Sequence, residues 1–163
     1  MARLADANQF GDIMQQIFSF ETTVSVAPEK AWQWITSFDG ISKEMSPFLK
    51  MSAPKGVTGL SSINFEPGKP MFRSWISLFG ILPIDYSNLT LMSLEPGVGF
   101  VEQSAMGSMK LWRHERRLTP IDSGCTITDR LTFEPRFGGR VVAAVVQRFF
   151  THRHKMLAKH LGG

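Results

Sequence analysis

The sequence predicts an α+β domain in which a curved antiparallel sheet of about seven strands wraps around one long C-terminal helix, with one or two short helices after the first strand. Three observations predict it. An alternating segment near the start passes at once into a helix signal, turn formers cut the middle of the chain into short runs rich in aromatic and branched residues, and a long periodic stretch closes it. A chain of 163 residues with 43% hydrophobic content is large enough to bury one core without disulfides or metal.

Residues 1–16 carry no strong period and read as an N-terminal leader, loosely ordered or a short helix; residues 17–163 read as one domain. Phe18, Phe20, Thr22, Val24 and Val26 alternate as a half-buried strand. Pro28 fits a first helical position, and Ala31, Trp32, Ile35 and Phe38 form a stripe ending near Asp39-Gly40. A second short helix is expected over Ile41 to Met45, stopped by Pro47. Strands are then expected near Phe48–Ser52, Ser61–Glu66, Phe72–Phe79, Asp85–Leu94, Gly99–Met106, Met109–Thr119 and Cys125–Glu134, divided by Pro54, Gly59, Pro67-Gly68, Pro83 and Pro96-Gly97. From Arg140 to about Leu161 the period is helical, with Val142, Val145, Val146, Phe149, Arg153, Met156, Leu157 and His160 on the face expected to meet the concave side of the sheet.

The segment Leu111 to Phe133 carries the most chemistry. Trp112, His114, Arg116 and Leu118 share one parity, and Cys125, Ile127, Asp129, Leu131 and Phe133 share another, so an imidazole, a guanidinium and a carboxylate are aimed at the dry side. If Pro120 to Gly124 closes the hairpin with Leu118 near Cys125, His114 stands across from Asp129 and Arg116 across from Ile127. A carboxylate beside an imidazole fixes its tautomer and raises its proton affinity, which suits an acid-base pair or a clamp on a ligand oxygen. Arg153 is placed to reach the same cluster from the final helix. Two readings stay open and do not exclude each other: a buried structural network tying helix to sheet, and the polar floor of an apolar pocket.

For that pocket the residues expected to contact a ligand are Phe48, Trp75, Tyr86, Phe100, Glu102, Met106, Trp112, His114, Arg116, Val146, Phe149, Phe150 and Arg153. His152, His154 and His160 do not suggest a metal, since i and i+2 on a helix point apart and no thiolate pair accompanies them. No nucleophile elbow, phosphate loop or dinucleotide fingerprint is present, and no cofactor is expected. The single Cys125 excludes an intramolecular disulfide and reads as a buried thiol.

A net charge of +4 and a pI near 9.5 raise the question of nucleic acid or an anionic membrane. Arg113, Arg116 and Arg117 on a strand, and Arg148, Arg153, Lys155 and Lys159 around a helix, form no dense block and no recognised motif, so nucleic acid is not expected as a partner. The apolar run Val141 to Val146 is far short of a membrane span, so integral membrane association is not expected, and without a secretory h-region the default is cytoplasmic. Oligomeric state is left open, a homodimer included.

The element order, with Val24-x-Val26-Ala27-Pro28-x-x-x-Ala31-Trp32, resembles the START-like superfamily, also called the SRPBCC or Bet v 1-like helix-grip fold, over roughly Phe18 to Leu161. Trp112-Arg113-His114-Glu115-Arg116-Arg117-Leu118, then Thr128-Asp129-Arg130-Leu131 and His152-Arg153-His154, are similar to its polyketide cyclase/dehydrase-like bacterial branch. Arg116 stands where such relatives often have a second histidine. The resemblance implies a hydrophobic cavity between sheet and long helix that takes a lipid, isoprenoid, polyketide or aromatic metabolite. It leaves three functional classes: a carrier or sensor of a small hydrophobic molecule, a cyclase or dehydratase using His114 and Asp129, and a non-catalytic module that contacts a protein or membrane.

Overall fold

The structure, a computed structural model, describes residues 15–163. The expected leader therefore lies outside the described residues except at its end, where Gln16 opens the first strand. The elements run β1 (Gln16–Val24), α1 (Pro28–Thr36), α2 (Phe38–Met45), β2 (Leu49–Met51), β3 (Pro70–Leu78), β4 (Leu82–Glu95), β5 (Gly99–Gln103), β6 (Ala105–Met106), β7 (Met109–Ile121), β8 (Gly124–Pro135) and α3 (Gly139–Leu161). All strand pairs are antiparallel, in the order β1-β8-β7-β5-β4-β3-β2, with the short β6 set against β4. The sheet curls around α3, as the alternation and the closing helical period imply. No helix among the described residues is long and apolar enough to cross a membrane.

Five expectations are corrected. The first helix stops at Thr36 rather than near Gly40, because Ser37 turns to extended backbone and its hydroxyl accepts the Gly40 amide at 3.0 Å, capping a separate α2. Phe38 thus begins the second helix instead of ending the first. Gly40 is required there by close approach: a Cβ would stand 2.2 Å from the Trp34 carbonyl oxygen. Ser61–Glu66 is not a strand. A 3₁₀ turn at Leu60–Ser62 buries Leu60, and the following residues alternate but find no strand to pair with among the described residues.

The expected strand Gly99–Met106 breaks at Ser104, whose hydroxyl accepts the Thr90 amide and donates to Glu102. The β7–β8 pairing is shifted by two residues from the expected register. It closes as Ile121 opposite Gly124, so Arg116 faces Asp129 and His114 faces Leu131.

The stripe that α3 buries is also rotated from the expected one. Val146, Phe150, Arg153, His154, Leu157 and Leu161 are buried, whereas Val145 is exposed. The helix lies across β1 and β8. At its C-terminal end Leu157 and Leu161 pack with Val24, Ile35, Leu118 and Ile127, and at its middle Val146 and Phe150 pack with Phe18, Phe20, Leu131 and Phe133. The far half of the sheet contributes a separate apolar cluster of Leu60, Leu89, Leu91 and Phe100. A straight helix resting on one side of a curled sheet leaves space on the other.

Candidate functional site

That space is a cavity of about 240 Å³. Its walls come from α2, the inward faces of β3 to β5, and α3. Leu89, Leu91, Phe100, Trp112 and Phe149 supply mostly apolar surface, and Glu102, His114 and Arg153 gather at one end.

Of the residues expected to contact a ligand, Phe100, Glu102, Met106, Trp112, His114, Val146, Phe149, Phe150 and Arg153 line the cavity. Phe48, Trp75, Tyr86 and Arg116 do not. Pleating explains Trp75 and Tyr86: Ser74, Ile76 and Ser87 take the inward positions, and the two aromatic rings pair 6.1 Å apart on the outer face, where Arg73 lies over Tyr86. Phe48 sits half-exposed against His152 and Phe79. Arg116 is wholly buried one layer behind the cavity wall.

Behind the wall the polar groups form a closed network. Asp129 Oδ1 accepts from Arg116 Nε at 2.6 Å and from His114 Nε2 at 3.0 Å, and its Oδ2 accepts from Arg116 Nη2 at 2.6 Å and from His154 Nε2 at 3.0 Å. An ionised carboxylate only accepts, so both imidazoles carry their proton on Nε2. The Thr22 hydroxyl stands 2.8 Å from His154 Nδ1. Glu44, wholly buried on α2, accepts Arg116 Nη1 at 3.0 Å on each oxygen, Arg153 Nη2 at 2.8 Å and Trp34 Nε1 at 3.2 Å. One cluster thereby ties α1, α2, β1, β7, β8 and α3.

His114 and Asp129 do meet, although diagonally rather than as direct cross-strand partners. The imidazole fills the gap because Phe100 and Phe150 hold it edge-on, with centroids 5.6 and 5.4 Å away. Burial works against its charged form, but the Asp129 charge and the hydrogen bonds of Asp129 and Glu102 prevail over that and over Arg116, so its pKa rises. Glu102 Oε2 stands 3.8 Å from Nδ1, and thus a carboxylate lies toward each ring nitrogen. Burial alone would lift the Asp129 carboxyl, yet Arg116 and then His114 hold it well below the usual carboxylate range.

Glu44 and His154 were missed by sequence reasoning, and a signal for both was present. Ile41, Glu44 and Met45 fall at i, i+3 and i+4, so Glu44 shares a face with apolar neighbours just as Arg116 does. His154 lies four residues after Phe150 and three before Leu157, on one helical stripe.

A family model for a domain of unknown function, DUF8410, matches residues 22–161. The chain belongs to this family. Comparison with curated proteins gives no match. Among solved structures the DUF8410 chain is similar to protein CV1439 from Chromobacterium violaceum, at 12% identity and a TM-score of 0.66 over 90% of this chain and 98% of that one. It is similar to the Zhui aromatase/cyclase from Streptomyces sp. R1128, at 13% and 0.66 over 90% and 93%. A START superfamily protein from Mycobacterium smegmatis matches at 9% and 0.62 over 91% and 97%. At these identities the likeness shows the fold: this chain has the helix-grip architecture that these structures share.

Proposed function

We propose that the protein binds a small, uncharged hydrophobic molecule in the cavity, its body against Leu89, Leu91, Trp112 and Phe149 and its polar end donating a hydrogen bond to Glu102. The observation that carries this reading is an apolar cavity of about 240 Å³ with one polar end where the charges are already paired. Glu44 and Asp129 are engaged by Arg116 and Arg153, and His114 lies between Asp129 and Glu102. A ligand carboxylate would add an unpaired charge in a poorly solvated place, whereas a hydroxyl would not.

A second polar point favours an elongated ligand. Ser87 Oγ is buried, lines the cavity, and is the one buried side-chain polar atom without a hydrogen-bond partner among the described residues. Ser87 is four residues along β4 from Leu91, which pairs with Glu102, so the two polar points are separated along the strand.

Native mass spectrometry of the protein taken from its source should show a retained mass in the 1:1 complex. Displacement of a fluorescent apolar probe should then favour a long-chain alcohol over the carboxylic acid of equal length, and Leu89→Trp should abolish both. Equal displacement by alcohol and acid would overturn the uncharged class, and no binding of either, with no retained mass, would overturn the binding reading.

The His114–Asp129 pair supports a second reading as a cyclase or dehydratase. With its pKa raised and a carboxylate toward each nitrogen, His114 would serve as a proton donor rather than a base. Turnover of a polyketide chain that persists in His114→Gln would exclude this role.

A further inference from the structure

The mouth of the cavity is built from two apolar segments that the fold leaves uncovered. One is the β3–β4 hairpin, where Phe79, Ile81, Leu82 and Ile84 are 59, 83, 58 and 52% exposed. The other is the entry to α3, where Phe137, Val141 and Val145 are similarly bare. Ile84 and Val145 line the cavity, so the two segments flank one opening. They are also tied together: the Arg136 amide donates to the Ser108 carbonyl at 3.0 Å, and the Ser108 hydroxyl and amide donate to Asp85.

Phe79 is the only residue other than glycine with positive φ, at 50°, among the described residues. A bulky side chain is disfavoured there, yet the turn holds it, with its amide donating to the Phe48 carbonyl at 2.8 Å and its ring, 6.4 Å from that of Phe48, still more than half exposed. Phe48 is itself half-exposed, so the pair adds to the uncovered apolar surface rather than to the core.

Charge is distributed to match. Residues 78–86 and 136–148 contain Arg136, Arg140 and Arg148 and a single acid, Asp85, which is engaged by Ser108. The stem of Lys50 lies beside the hairpin tip at Gly80. Exposed apolar side chains with arginines in the same segment and a lysine beside the hairpin tip match the interface of an anionic bilayer, in which apolar groups enter the acyl boundary and cations remain at the headgroups. Anionic headgroups supply counter-charge to these cations without a fixed pattern of acids opposite them.

We propose that the β3–β4 hairpin tip and the start of α3 dock the protein on an anionic lipid surface, with the mouth of the cavity against the bilayer. This orientation would let an apolar molecule pass between membrane and cavity without crossing water. Docking itself does not depend on the cavity being filled.

Co-sedimentation of the full chain with vesicles of phosphatidylcholine alone, and with vesicles containing phosphatidylglycerol, tests it. Binding is expected to the anionic vesicles and to weaken with added salt. Ile81→Asp with Leu82→Asp, both solvent-facing, should lower the partition coefficient by at least about tenfold, since two apolar contacts are lost and two like charges gained. Arg136→Gln with Arg140→Gln should lower it by about fivefold per cation removed. Circular dichroism and the thermal midpoint verify that each variant is folded. Absence of binding to anionic vesicles, or binding unchanged in the folded tip variant, would overturn the proposal. So would a concentration-dependent dimer in sedimentation velocity that the tip variant abolishes, which would assign the surface to a second copy. Because probe displacement is measured without lipid, loss of docking and loss of cavity binding are told apart.

Discussion

Asp129 is the residue on which the buried network turns, because three buried neighbours, Arg116, His114 and His154, donate four hydrogen bonds to its two oxygens. Asp129→Ala leaves Arg116 buried with only Glu44 opposite and should destabilise the fold by about 3–5 kcal/mol in urea titration. An unchanged midpoint would refute the network. The two shifted groups also set a pH profile of opposite limbs. Asp129, held below its ordinary 3.8, stabilises fully above that value, and its contribution fades as pH falls through its lower folded pKa. His114, raised above 6.5, stabilises fully below that value, and its contribution fades as pH rises through its higher folded pKa. The urea midpoint should therefore be greatest between these bounds, and His114→Gln should flatten the alkaline limb while only weakening the acid one, which Arg116 still maintains.

At the scale of elements, the α1–α2 junction and the β7–β8 hairpin position the site. Gly40→Ala drives a methyl into the Trp34 carbonyl and should cost about 1–3 kcal/mol, whereas Ser37→Ala loses one cap and should cost about 1 kcal/mol, both read from thermal melts. The sheet and the long helix were legible because alternation and a helical period are local properties of the chain. The exact hairpin register was not, because Pro120 can sit in a strand end as readily as in a turn, and a shift of two residues keeps every side chain on its face. That parity rule is why His114, Arg116 and Asp129 were correctly aimed inward despite the wrong partners. Trp75 and Tyr86 were misplaced because large aromatic residues suit either face of a strand, and their parity, opposite to that of the inward Ile76 and Ser87, decides the matter. Rotation of the α3 stripe by about one residue hid His154 while leaving Arg153 in view.

At the scale of the molecule, the cavity follows from a mismatch of shapes, which periodicity does not encode: α3 rests on β1 and β8 while β3 and β4 curl past it. The exposed mouth was equally invisible in sequence, since Phe79 read as the end of a strand and Ile81 and Ile84 fell in the short connection after it, with nothing local to say that their side chains stay uncovered. The buried charges have one more implication, for the order of folding events. Glu44 meets Arg116 across 72 residues of chain and Arg153 across 109, and Thr22 meets His154 across 132. Neither the early segment nor the late one can neutralise its share alone, so partly assembled forms hold desolvated ions without counterions and should be scarcely populated. Amide protons in α2 and the middle of α3 should consequently exchange with deuterium at one common rate, that of complete unfolding.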